Sequence, residues 1–183
     1  MKAERSLKSR ALQLLAQRDQ SRLELRRKLV RHARGRAVAP AADADARAVA
    51  VAADADPATI ASEVDALLDW LEANRFLSDV RFAESRVHAR AQRFGVQRIR
   101  SELAHHAVEL PPDLVASLAA SESERAAAVR ARRFAALPAT AAERAAQSRF
   151  LLGRGFSPEL VQRLMRRLAP TVVAAGEGAA DLD

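Results

Sequence analysis

Apolar side chains recur along this chain at helical spacing, and three segments repeat one arrangement: a helix-starting residue with apolar residues four and eight positions on. The first starts at Ser21, which forms a capping-box pattern with Glu24, and Leu25 and Leu29 follow. The second starts at Gly95, a usable N-cap, with Ile99 and Leu103 at the same offsets. The third starts at Ser157, with Pro158 at the first helical position and Val161 and Met165 behind it. Each follows a helical stretch (Ala11 to Arg18, Phe82 to Arg93, Ala141 to Arg154) across a turn of one or two residues. Such matches also arise by chance among helices, so the repeat is suggestive alone.

Further helices fill the intervals. Asp56 and Pro57 open one whose apolar face is Ile60, Val64, Leu67, Leu68 and Leu71, with Asn74 as its left-handed end. Ser78 or Asp79 caps the next, with Phe82, Ala83 and Val87 inward. Asp113 caps a helix carrying Leu114, Val115 and Leu118, and a further stripe runs through Ala126, Val129, Arg133 and Leu137. The chain reads as units of a few tens of residues that bury little alone and must stack on neighbours, as in solenoids.

Composition agrees. The 183 residues include 43 Ala and 22 Leu but 14 Val, 2 Ile, 3 Thr and no Tyr, so strand formers are scarce and helix formers abundant. The expected fold is all-α. From Ala37 to Ala58, 12 of 22 residues are Ala and no large apolar side chain occurs, which predicts a mobile linker, and residues 171–183 read as a disordered tail. The expected division is a first three-helix repeat over 1–77, containing the 37–58 linker, a second over 78–122 and a third over 123–170.

Charge is unevenly placed. Residues 1–36 hold 12 basic and 3 acidic side chains, residues 37–65 hold 1 and 6, and residues 149–170 hold 5 and 1. The overall charge of +7 favours polyanionic partners. Of the 30 basic residues 27 are Arg, which grips phosphate and carboxylate bidentately, although a GC-rich genome gives the same bias. Arg22, Arg26, Arg27, Lys28 and Arg31 lie off the Leu25/Leu29 face. Arg98 and Arg100 do so in the second segment, and Arg163, Arg166 and Arg167 in the third. These ten form a candidate basic row facing DNA phosphates or an acidic protein surface; a solvated helix face is the bland alternative.

Catalytic chemistry finds little footing. Cysteine is absent, and His32, His88, His105 and His106 offer no metal-ligand spacing. Ser21, Ser78 and Ser157 are explained by capping, and Gly153-Arg154-Gly155 by a helix-ending turn. No catalytic, cofactor or metal site is expected. The seven aromatic residues, Trp70, Phe76, Phe82, Phe94, Phe134, Phe150 and Phe156, are expected mainly in the core. No run approaches a membrane-spanning length, and no secretory signal is evident, so a cytoplasmic protein is expected.

Four stretches also carry a resemblance. ALQLLAQRDQSRLELRRKL (11–29), LLDWLEANRFLSDVRFAESRVHAR (67–90), FGVQRIRSEL (94–103) and RFLLGRGFSPELVQRLM (149–165) resemble, in order, motifs of the RecX family of RecA regulators. The likeness runs from about residue 7 to 168. Ser78 stands where the family usually has Asp, an exchange of one N-cap for another, and the Ala/Asp-rich linker is longer than the family's pattern. The resemblance implies tandem three-helix repeats stacked in an elongated, curved, solenoid-like array. It implies binding to the RecA–DNA filament and restraint of its recombinase, ATPase and coprotease activities in DNA repair and the SOS response. The implied partners are RecA and sequence-independent single-stranded DNA, with duplex second, and no membrane, cofactor or small-molecule substrate. A helix-turn-helix-like DNA binder and a helical scaffold remain the alternatives.

Overall fold

The computed structural model describes residues 6–38 and 56–168. Among these, all regular structure is helical: α1 (Leu7–Gln17), α2 (Arg22–Val38), α3 (Pro57–Ala73), α4 (Asp79–Arg90), α5 (Val96–Ala104), α6 (Pro112–Arg133), α7 (Ala141–Gly153) and α8 (Pro158–Arg167). No helix of the described residues is long and apolar enough to cross a membrane. The expected tail lies outside the described residues, as does most of the expected linker. Its two ends are helical: Ala37 and Val38 close α2, and Pro57 and Ala58 open α3, so Ala-rich sequence extends both helices.

Two compact units divide these helices. The first holds the described residues up to Arg90 together with Ile99–Ser117; the second holds Ala91–Arg98 together with the chain from Leu118 on. In the first unit, Ala11, Leu14, Leu25, Leu29, Val64, Leu68, Leu71 and Leu77 make a common core, so α1, α2 and α3 close on one another. In the second, Ala126, Val129, Leu151, Phe156, Leu160, Val161, Leu164 and Met165 do the same for α6, α7 and α8. The repeated apolar pairs are all buried: Leu25 with Leu29, Ile99 with Leu103, Val161 with Met165.

Helix starts hold the first surprise. Ser21 Oγ accepts from Glu24 N at 3.1 Å, as the sequence predicts, and Ser157 Oγ accepts from Leu160 N at 3.3 Å. The first N–H of α2, on Arg22, is instead taken by Asp79 at the head of α4, 2.8 Å away. The first N–H of α5, on Val96, is taken by buried Glu122 of α6 at 2.9 Å. An acidic side chain from a later helix thus satisfies each orphan donor. Ser78 caps α4 through Arg81 N, which leaves Asp79 for α2. Helix α1 begins at Leu7, four residues before the expected start, because Ser6 caps it through Ser9 N. Asp113 sits inside the first turn of α6.

Helix ends share one stop. At α3, α5 and α7 the backbone N–H of Phe76, Val108 and Phe156 bonds the carbonyl five residues back, on Leu71, Leu103 and Leu151, and the residue before each is left-handed. Those residues are Arg75 (φ 61°), Ala107 (φ 56°) and Gly155 (φ 81°). Asn74 is therefore not the left-handed residue; its φ is −92°.

Within the second unit two glycines touch. Gly95 N donates to the Arg154 carbonyl at 3.0 Å and Gln97 N to the Gly155 carbonyl at 3.2 Å. A side chain at 95 would begin 2.2 Å from the Gly155 oxygen, and one at 155 would begin 2.4 Å from the Arg98 Cβ. Only glycine permits this approach. Arg125 braces the same turn, donating to the carbonyls of Ala91 at 2.8 Å and Phe94 at 2.9 Å.

Candidate functional site

The ten expected basic residues differ sharply in what they touch. On α2, Arg22 grips α3 with both guanidinium nitrogens, Nη2 at 2.6 Å from Asp69 and Nη1 at 2.5 Å from Glu72. One turn on, Arg26 meets Asp65 bidentately, Nε at 2.6 Å and Nη2 at 2.8 Å. Lys28 Nζ lies 2.8 Å from Glu24 and 2.9 Å from Gln20 Oε1. Hydrogen bonds from Arg26 hold the Asp65 carboxyl below its ordinary pKa. Burial pushes Glu24 up, but Arg18 and Lys28 outweigh it and leave the group lowered. On this helix Arg27 and Arg31 of the five are exposed and the other three half-buried; Arg31 borders a cavity of about 590 Å³ with Arg10, Leu14, Lys28, His32 and Gly35. The sequence placed these cations off the leucine face correctly, but α3 brings carboxylates to meet them.

Arg98 and Arg100 are exposed on α5, Arg98 in the second unit and Arg100 in the first. Helix α8 buries Leu160, Val161, Leu164 and Met165 and leaves Arg163, Arg166 and Arg167 exposed on its other side.

A second basic cluster lies in the second unit, where the sequence reading expected apolar packing. The stripe is buried at Ala126 and Val129 but not beyond: α6 ends at exposed Arg133, and Leu137 is 60% exposed. Arg130 goes inward instead, its Nε donating to Gln147 Oε1 at 2.8 Å and Nη2 to the Ala136 carbonyl. Beside it, a cavity of about 300 Å³ is lined by Gln92, Arg93, Val129, Arg132, Arg133, Phe150 and Arg154. The Arg154 guanidinium sits 4.7 Å from the Phe150 ring centroid and 5.7 Å from that of Phe94. Arg93 and Arg98 also lie against Phe94, at 5.7 and 5.8 Å, and Arg133 lies 5.5 Å from Phe134. Phe134 and Phe150 meet edge to face at 5.3 Å.

The aromatic expectation fails outright for Trp70 and Phe76, which are exposed and stacked on each other. Phe82 and Phe156 are buried, Phe150 is half-buried and packs on the second unit's core, and Phe94 and Phe134 are half-buried against arginines. A signal was present: five of the six phenylalanines directly follow an arginine. Among the described residues no three of His, Cys, Asp and Glu gather to hold a metal.

Residues 121–165, from the middle of α6 to α8, match the sequence profile described as RecX, third three-helix domain. The crystal structure of RecX from Lactobacillus salivarius is similar in fold, with a TM-score of 0.59 at 18% identity over 88% of this chain and 94% of that one. Regulatory protein RecX of Herbaspirillum seropedicae is 47% identical over 154 residues, covering 83% of this chain and 84% of that protein. Regulatory protein RecX of Ralstonia nicotianae is 45% identical over 165 residues, covering 88% and 87%. Identity of this order along most of both chains, with the same helical fold, makes this protein a member of the RecX family.

Proposed function

We propose that this chain regulates the RecA recombinase by binding the RecA–DNA filament and restraining its recombinase, ATPase and coprotease activities in DNA repair and the SOS response. The observation that carries this reading is the 41–47% identity, over most of its length, to proteins named regulatory protein RecX. It acts by binding rather than by turnover, in the cytoplasm, without a cofactor or small-molecule substrate. Its three repeats, over 1–77, 78–122 and 123–170, present exposed arginines to a polyanion: Arg27 and Arg31 on α2, Arg98 and Arg100 on α5, and Arg163, Arg166 and Arg167 on α8. Arg22, Arg26 and Lys28 of the same row serve mainly to hold their own unit together.

The deciding experiment is the recombinase's ATP hydrolysis on single-stranded DNA with added full-length protein. Inhibition at substoichiometric protein is expected. No inhibition at equimolar protein overturns the reading.

A further inference from the structure

The arginines around Phe150 pose a physical question. Arg93, Arg132, Arg133 and Arg154 line one cavity, and no carboxylate appears among its described lining residues. Four like charges at close quarters repel one another, and the α2 arginines show how this chain relieves such charge when structure alone is at stake: with aspartate and glutamate. Here, among the described residues, no carboxylate lines the cavity with the guanidinium groups. Arg154 donates to the Arg93 carbonyl at 3.3 Å and lies near two phenylalanine rings. Cation–π contact orients a guanidinium while leaving its charge in place.

We propose that this cleft of the second unit binds the phosphate backbone of single-stranded nucleic acid, with Phe150 offering its ring to a base. The planar fork of arginine fits phosphate oxygens bidentately. Arginine interleaved with phenylalanine is the combination that grips a strand independently of sequence, charge tracking the backbone and rings taking the bases. A concave site with a ring in its lining favours a strand whose bases are splayed out over a duplex, whose bases are stacked inside. An acidic protein surface would use the charges and leave the ring idle. Arg132 and Arg133 also suit the C-terminal end of α6, where a cation is favoured by the helix dipole, so the test must separate that role from binding.

The inference deepens the nucleic-acid part of the reading above and is tested without the recombinase. Full-length protein is titrated onto a fluorescent thymidine 20-mer at several salt concentrations, and anisotropy is read. Arg132→Glu with Arg133→Glu should weaken binding about tenfold or more and make the log–log salt slope shallower by roughly 1.4, about 0.7 for each lost single-strand contact. Arg132→Lys with Arg133→Lys, which keeps the helix-end charge, should keep most of the slope while losing affinity. Arg93→Gln lies in a turn outside α6 and should weaken binding even if the double reversal fails to fold. Unchanged affinity and slope in folded Arg93→Gln and in the folded double reversal overturn the inference. So does equal or tighter cleft-dependent binding of a duplex of the same length, or equal competition by a poly-glutamate peptide. If these variants lose strand binding yet still inhibit filament ATPase, the cleft stands and is separate from filament docking. If wild type binds through the cleft but never inhibits, the regulatory reading fails alone.

Discussion

Helix α2 in the first unit and the cleft of the second unit are both rich in cations, and they use them in opposite ways. On α2, Arg22 and Arg26 reach Asp69, Glu72 and Asp65 of α3, and Lys28 reaches Glu24. In the second unit Arg93, Arg132, Arg133 and Arg154 surround a cavity with phenylalanine beside them and no carboxylate among the described lining. Counting basic residues along the sequence picks the first region, where 12 of the first 36 residues are basic. Asking which cations meet a carboxylate separates the two: Arg22, Arg26 and Lys28 do, while among the described residues the cleft arginines do not. Formal charge measures what a segment carries, and only tertiary structure decides how much remains for a partner.

The largest expected effect tests what joins α2 to α3. Leu71 is fully buried there, and Leu71→Ala should lower unfolding stability by about 2–5 kcal/mol in urea titration. Asp65→Asn, which removes only a half-buried, solvent-screened ion pair, should change it far less. Equal losses would mean that the charged seam, rather than the leucine core, holds the pair.

Next comes the glycine contact of the second unit. Gly95→Ala forces apart two backbone segments and should lower stability by roughly 1–3 kcal/mol, as overpacking does elsewhere. A thermal midpoint indistinguishable from wild type would show that the two turns separate freely.

Charge reversal sharpens the contrast directly. Arg26→Glu sets a carboxylate against Asp65, so the triple change of Arg26, Arg27 and Lys28 to Glu should lower the melting temperature. The triple change of Arg163, Arg166 and Arg167 to Glu falls on an exposed face, and should lower melting only through the end of α8, by less than the α2 triple, while weakening filament inhibition. The reverse outcome would exchange the roles assigned to the two regions.

The smallest effect is acid dependence. Asp65 and Glu24 have folded pKa values below their ordinary ones, so their stabilisation is present above about pH 4 and is lost as pH falls through the folded values. Stability should begin to fall below about pH 6.5, because burial holds the His106 imidazole below its ordinary pKa. It should fall further below about pH 4, where the decline should be shallower in Asp65→Asn. An identical decline would remove Asp65 from the account.

Sequence spacing located what is local. The apolar residues four and eight positions past Ser21, Gly95 and Ser157 are all buried, because a helix enforces that geometry wherever it forms. What escaped was non-local or unusual. The residues that take the first N–H groups of α2 and α5 lie 57 and 26 positions away, beyond any capping rule. Arg75 and Ala107 adopt a left-handed backbone without glycine's freedom, held by the bonds that close α3 and α5. For the candidate site the same division holds: the outward face of α2 was legible, but the carboxylate that covers Arg26 comes from 39 residues on.

The contact between Gly95 and Gly155 bears on how the chain can be cut and made. Arg93 and its neighbours belong to a unit whose remainder begins at Leu118, and Arg154 reaches back to Arg93 across 61 positions. A fragment ending at Ser117 would strand the Gly95 amide without its acceptor, and one beginning at Leu118 would lack the turn that Arg125 braces. On the ribosome this turn emerges well before its partner and must wait for the α7–α8 turn, a loop closure that is slow for its entropy. The unit is therefore finished late in synthesis, and cutting the protein ahead of Leu118 would dismantle it.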